Sequence, residues 1–290
     1  MKKQRKNYLL KLFFSFSLVI GAFSAFPQQE FIVKAGWADG WADDQKEWAS
    51  YGESGWTSTS DDVFKWSGTN IVANQSGDPS TNPLAIPQAL SAESVSYNQM
   101  NKMADNKCLD LPKLVSEDVV YYGVYSPEQF RYAMVNQLNV KLMKDLDMSG
   151  QRGVSWSSVS FSKKMFIDGN GHTIYNLNGG NLVASWTQPL IVKDLAVSSA
   201  SLLNNGGLFG SSNSDTYISM EGVSLEHAIV WNPSSFAGGL VNASYYRNAG
   251  SFARVYANRC HTKNVYVRGG ACSGNVFGPI SGWVENCYAI

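Results

Sequence analysis

The spacing of apolar residues changes character along the chain. Leu12 to Phe26 is a mostly apolar run, and no sustained period follows it until about residue 118. From Ser126 the period is helical. Ser126 is a good N-cap residue, Pro127 suits the first helical position, and Glu128 and Gln129 suit the first turn. Phe130, Met134, Val135 and Leu138 then recur at helical spacing, which predicts a helix over 127–137. After it the period becomes two. Val140, Leu142, Leu146 and Met148 alternate with mostly polar neighbours, predicting a strand that ends at Ser149-Gly150. A second strand, Met165-Phe166-Ile167, runs into Asp168-Gly169-Asn170-Gly171, and His172 to Leu177 continues as strand. Asp-Gly and Asn-Gly accept the positive φ that such a turn requires.

The remainder of the chain repeats. Gly206-Gly207-Leu208-Phe209-Gly210 is echoed by Gly238-Gly239-Leu240-Val241-Asn242 and by Gly274-Asn275-Val276-Phe277-Gly278, at spacings of 32 and 36 residues. A short strand precedes each copy: Asp194 to Val197, Gly222 to Leu225 and Asn264 to Val267. Val255 to Cys260 also resembles Val284 to Tyr288. One unit of short strands and Gly, Asn and Ser turns cannot bury its apolar side alone. Stacked units pair every strand with neighbours above and below and join their Leu, Val and Phe residues into one interior column. The fold class this predicts is mainly β: a right-handed parallel β-helix (solenoid) over 119–290, of about five or six coils. The helix at 127–137 would cap its N-terminal end. The chain stops at Ile290 within a coil, so a truncated product, or capping by a further chain or domain, is the expectation there.

These residues resemble a known family. Asp168 to Ile174, Gly206 to Gly210, Gly238 to Val241 and Asn286 to Tyr288 are similar to elements of bacterial secreted β-helix proteins with GLUG-type repeats. The resemblance covers about 126–290 and implies export and the β-helix fold. In that family such coils occur in adhesins, in large surface proteins and beside peptidase domains, so adhesin-like surface binding is what the resemblance implies here.

Composition and charge refine the picture. Lys2, Lys3, Arg5, Lys6 and Lys11 precede the apolar run, which spans about fifteen residues. A membrane span needs ~20. Residues 1–24 therefore read as a signal peptide cleaved after Ser24, with Ala25 the second choice, and no cysteine for a lipid anchor follows. The 23 basic and 23 acidic residues become 18 and 23 after that cleavage, a net charge of −5. Without a concentrated basic patch, nucleic-acid binding is not expected. Residues 25–118 read as an irregular segment rich in Trp, Gly and Ser, with a loop or linker over 73–92. Trp37, Trp41, Trp48, Trp56 and Trp66 are candidate glycan-contact residues, since aromatic faces stack on sugar rings; core packing is the commoner fate of Trp.

Catalytic and metal constellations are weak. Asp168 and His172 could form an acid/base pair, but the turn alone accounts for the Asp. Asp145 and Asp147 share a strand face that could hold Ca²⁺, or simply be solvated. Cys272, flanked by Gly270 and Gly274, has nucleophile-elbow spacing and could pair with His261, yet its flanks read as strand repeat. His172, His227 and His261 form no H-E-x-x-H. Cys108, Cys260, Cys272 and Cys287 lack C-x-x-C spacing, and their pairing is open. No cofactor, catalytic residue or metal is expected. The predicted function is a secreted or cell-surface, non-catalytic binding or adhesion protein, with glycans or host or cell-surface proteins as partners. The competing expectations are a carbohydrate-active β-helix lyase or hydrolase, and the front part of a larger surface peptidase-type protein.

Overall fold

A computed structural model of the chain describes residues 75–101, 111–148, 156–203, 206–212, 215–242, 254–270, 273–278 and 280–290. The expected signal peptide, the five Trp residues at 37–66, Cys108 and Cys272 lie outside the described residues. The described chain is mainly β, built from parallel ladders. The first sheet has eight strands: Gln88–Ala89, Tyr122–Val124, Val140–Leu142, Met165–Asp168, Leu190–Lys193, Tyr217–Glu221, Arg254–Asn258 and Ser281–Glu285. Their hydrogen-bonded order is their order in the chain. The first pair is antiparallel and the others are parallel. A second sheet stacks Leu146–Asp147, Thr173–Tyr175, Ala196–Ser198, Ser224–Asn232, His261–Gly269 and Tyr288–Ala289, again in parallel. A third ladder joins Val159–Phe161 to Val183–Trp186 and continues through single bridges Val183–Phe209, Phe209–Val241 and Val241–Phe277. From Val140 to Phe277 the chain visits the three ladders in the same order five times.

Alternation decides which side chains turn inward. In the first sheet Val140, Ile167, Val192, Met220 and Ala257 are consecutive partners, and all are buried. Ile174, Val197 and Leu225 form the matching column in the second sheet, and Val183, Phe209 and Val241 in the third. The three columns belong to one apolar core.

Helix α1, Pro127–Val135, is capped as its sequence predicts: the Ser126 hydroxyl accepts the Gln129 N–H at 3.1 Å. It ends two residues before the predicted 137, because Asn136 leaves helical geometry and Gln137 has φ 53°. Phe130, Ala133 and Met134 enter the main core, and the Phe130 and Trp156 rings lie 5.5 Å apart.

Two readings are corrected. Residues 25–118, expected to be irregular, contain the strand Glu93–Gln99 and all but the last residue of its antiparallel partner Lys113–Val119. Val95, Tyr97 and Val119 pack with Phe166, Ile191, Tyr217 and Tyr256 from the outward side of the first sheet, forming a second core. Tyr97 meets Phe166 edge-on at 5.6 Å, and Lys164 joins Glu117 and the Tyr97 hydroxyl at 2.6 Å each. The apolar face of this pair is only two or three residues per strand, and its partner exists only once the rungs have stacked. The second correction concerns Asn264 to Val267, expected to match Asp194 to Val197. Those residues pair with the far half of Ser224–Asn232, and His261–Thr262–Lys263 are the true counterparts of Ala196–Ser198 and Ser224–Glu226.

Candidate binding surface

Two corner ladders frame one outward strip of the second sheet. Between first and second sheets the chain turns at Asp194, Gly222, Arg259 and Asn286, with φ of 45°, 64°, 54° and 50°. At the far side of the short strands it turns at Asn176, Ser199, His227 and Asn264, with φ of 59°, 56°, 50° and 51°. A lone left-handed residue bends the chain sharply while keeping successive rungs in phase. Between the corners the middle residue of each rung points inward and its neighbours point out. One outward row is Thr173, Ala196, Ser224, His261 and Tyr288, with Ser224 itself covered; the other is Tyr175, Ser198, Glu226 and Lys263.

Polar contacts run between rungs along this strip. The Asp145 carboxylate accepts the Thr173 N–H at 2.9 Å and lies 3.2 Å from His172 Nδ1. Asp147 accepts from the Asn176 amide at 2.7 Å. Glu226 lies 3.3 Å from His261 Nε2, and the His261 ring stacks on Tyr288 at 5.0 Å with planes 8° apart. The Asn264 amide is 3.3 Å from His227 Nε2. All three histidines of the chain therefore border the strip. Tyr175 and Tyr288 are exposed, presenting aromatic faces beside hydroxyl, carboxylate and ammonium groups.

The candidate chemistries of the sequence are rearranged by this geometry. His172 meets Asp145 and not Asp168, which accepts the Asn170 N–H at 2.7 Å and lies 3.5 Å from Lys141. Asp145 and Asp147 spend oxygens on inter-rung hydrogen bonds, and no group of three metal-ligating side chains occurs among the described residues. On the first sheet the outward row Lys141, Asp168, Lys193, Glu221, Asn258 and Glu285 alternates in sign over its first four positions. Lys141 reaches Glu93 at 2.7 Å and Arg259 reaches Glu221 at 3.0 Å, so much of that charge is compensated locally. Burial pushes the Glu128 carboxyl up to about 7, against weaker opposing hydrogen bonds from its own backbone and Ser126. That group lies within α1 and is not one of the strip's residues.

The glycine-rich repeats lie in the third ladder and not on the strip. Gly238 N–H donates to Gly206 O at 2.7 Å, Leu208 to Gly239 at 3.0 Å and Phe209 to Leu240 at 2.7 Å. A Cβ on Gly210 would stand 2.0 Å from Ala184 O. Leu208, Phe209, Leu240 and Val241 are fully buried. An earlier rung, Gly180-Asn181-Leu182-Val183, was missed in the sequence; its signal is the Gly-Asn start it shares with Gly274-Asn275, followed by two apolar residues. The pairing of Asp145 with His172 and of Glu226 with His261 had no local signal, since the partners are a full circuit apart. The elbow reading of Cys272 falls on a residue outside the described ones.

Compared with known proteins, the chain matches no family model, no curated protein and no solved structure. No helix among the described residues is long and apolar enough to cross a membrane.

Proposed function

We propose that the chain is a right-handed parallel β-helix with α1 as its N-terminal cap, exported by its leader and acting at or beyond the cell surface as a non-catalytic binding or adhesion module. Three ladders that each grow in chain order support the solenoid, and the strong right-handed preference of parallel crossovers supports its hand. The likeness to GLUG-repeat proteins adds to both. The observation that carries the functional reading is the outward strip. It repeats side chains at the inter-rung distance of ~4.8 Å, with tyrosine and histidine rings flanked by serine, threonine, glutamate and lysine. Sugar rings stack on exposed aromatic faces and share hydroxyl hydrogen bonds with such groups. A rod carrying several weak contacts gains avidity through multivalency. Glycans are the preferred ligand class, with host or cell-surface proteins next, and Trp37, Trp41, Trp48, Trp56 and Trp66 would supply further contacts.

The test is a glycan array probed with the full chain, followed by incubation of each retained polysaccharide and assay for new reducing ends and unsaturated products. Retention without cleavage is the expected result. Cleavage would establish the carbohydrate-active reading, with the Asp145–His172 and Glu226–His261 pairs as the first acid/base candidates.

A further inference from the structure

Two cysteines stand outside the binding reading. Asn258 pairs with Glu285 and His261 with Tyr288, so Cys260 and Cys287 occupy equivalent positions on adjacent rungs. The residue before each, Arg259 and Asn286, has the same left-handed backbone, φ 54° and 50°, which aims the two Cα–Cβ bonds in parallel. Each sulfur donates to the carbonyl two residues back, Asn258 O at 3.3 Å and Glu285 O at 3.1 Å, so the side chains share one orientation. The Tyr288 N–H donates to Cys260 O at 3.2 Å, holding the rungs together at this point. Both are free thiols in the structure; rungs ~4.8 Å apart fall inside the Cα separation of ~4.4–6.8 Å that a disulfide spans, and closing it draws the two Cβ atoms a few tenths of an ångström together. In the two preceding circuits the same corner position is held by Leu195 and Val223, both fully buried, so packing alone does not call for sulfur here.

We propose that Cys260 and Cys287 are a redox pair that closes into a disulfide, stapling the rung Ser281–Glu285 and Tyr288–Ala289 onto the rung before it. Cys287 is half-buried and Cys260 fully buried, which orders the chemistry. The Cys260 sulfur beside it lowers the Cys287 thiol, while the same contact and burial push Cys260 up. The oxidant is a disulfide donor, a small-molecule disulfide or an oxidoreductase. The Cys287 thiolate attacks one donor sulfur, the donor S–S bond breaks, and the first donor thiolate leaves and takes up a proton. Cys260 then gives up its proton and attacks Cys287 Sγ. The mixed disulfide breaks, the second donor thiol leaves, and the Cys260–Cys287 bond remains. Two cysteine thiols have lost two electrons and two protons, and the donor disulfide has gained them as two thiols.

The full chain is equilibrated with glutathione disulfide, alkylated without reduction, and digested with trypsin and a glutamyl endopeptidase. Trypsin cuts after Arg259 and Lys263, and the second enzyme cuts after Glu285, which separates Cys272 from Cys287. The expected product is one species joining residues 260–263 to residues 286–290, two hydrogens lighter than its parts and lost on adding dithiothreitol. Recovery of both peptides singly and alkylated would overturn the proposal, as would a link from Cys260 to Cys108 or Cys272. In parallel, dithiothreitol should lower the thermal midpoint of the oxidised wild type by several degrees and leave C287A unchanged. An equal response in both proteins would count against the staple.

Discussion

Eight corners of the strip each rest on one residue with positive φ, and only Gly222 among them is glycine. Ser199 turns at φ 56° with only a backbone bond, its N–H to Glu226 O at 3.1 Å, to reward it. Left-handed backbone costs an L-residue ~1–2 kcal/mol, and glycine's extra unfolded freedom returns part of any relief. Ser199→Gly should therefore raise stability by up to about 1 kcal/mol in urea denaturation. Gly210 has the opposite constraint. Its missing Cβ would meet Ala184 O at 2.0 Å, so Gly210→Ala must move backbone and should cost at least about 2 kcal/mol in the same assay. Glu128 links residue chemistry to pH. Its carboxyl is raised from 4.5 to about 7 by burial, so the folded state holds that proton more tightly than the unfolded state. Its contribution to stability is intact below about 4.5 and is lost as pH rises through about 7. Glu128→Gln should match wild type near pH 4 and exceed it by up to about 3 kcal/mol at pH 8, read from denaturation curves at both pH values.

At the scale of elements, local signals and long-range ones part company. Ser126-Pro127 and the apolar spacing after it announce α1, since a cap and a period are both short-range. The stacking of Gly206–Gly210 on Gly238–Asn242 shows as self-similarity, because each rung meets the same neighbours. The pair Glu93–Gln99 and Lys113–Val119 was not legible. Val95 and Tyr97 face residues on the outside of a sheet, where nothing in a single strand marks an outward apolar row as destined for cover. The mismatch at Asn264–Val267 has a related cause: His261–Gly269 is one long strand spanning two short ones of earlier circuits, and sequence similarity matched its wrong half. The hairpin's attachment can be isolated. Phe166→Ala should remove about 3 kcal/mol. Amide exchange should then speed up first in 93–99 and 113–119, with protection of the inward columns lost later. Simultaneous loss in both would show that the hairpin is integral to the stack.

For the whole molecule, ladders that grow in chain order set distant residues side by side at fixed intervals. Tyr175 and Tyr288, far apart in sequence, become opposite ends of one strip whose rows also carry His261, Glu226 and Lys263. That juxtaposition was hidden in the sequence because circuits differ in length, so the register between rungs must be known before the strip can be drawn. The proposed binding function depends on it. The most direct test is the affinity of the full chain and of a Tyr175→Ala/Tyr288→Ala variant for the best-retained glycan, by isothermal titration calorimetry, with thermal midpoints recorded alongside. Losing exposed aromatic platforms should weaken binding by roughly 10-fold or more while the midpoint stays within a few degrees. Unchanged affinity in a folded variant would contradict the account and move the binding surface elsewhere on the protein.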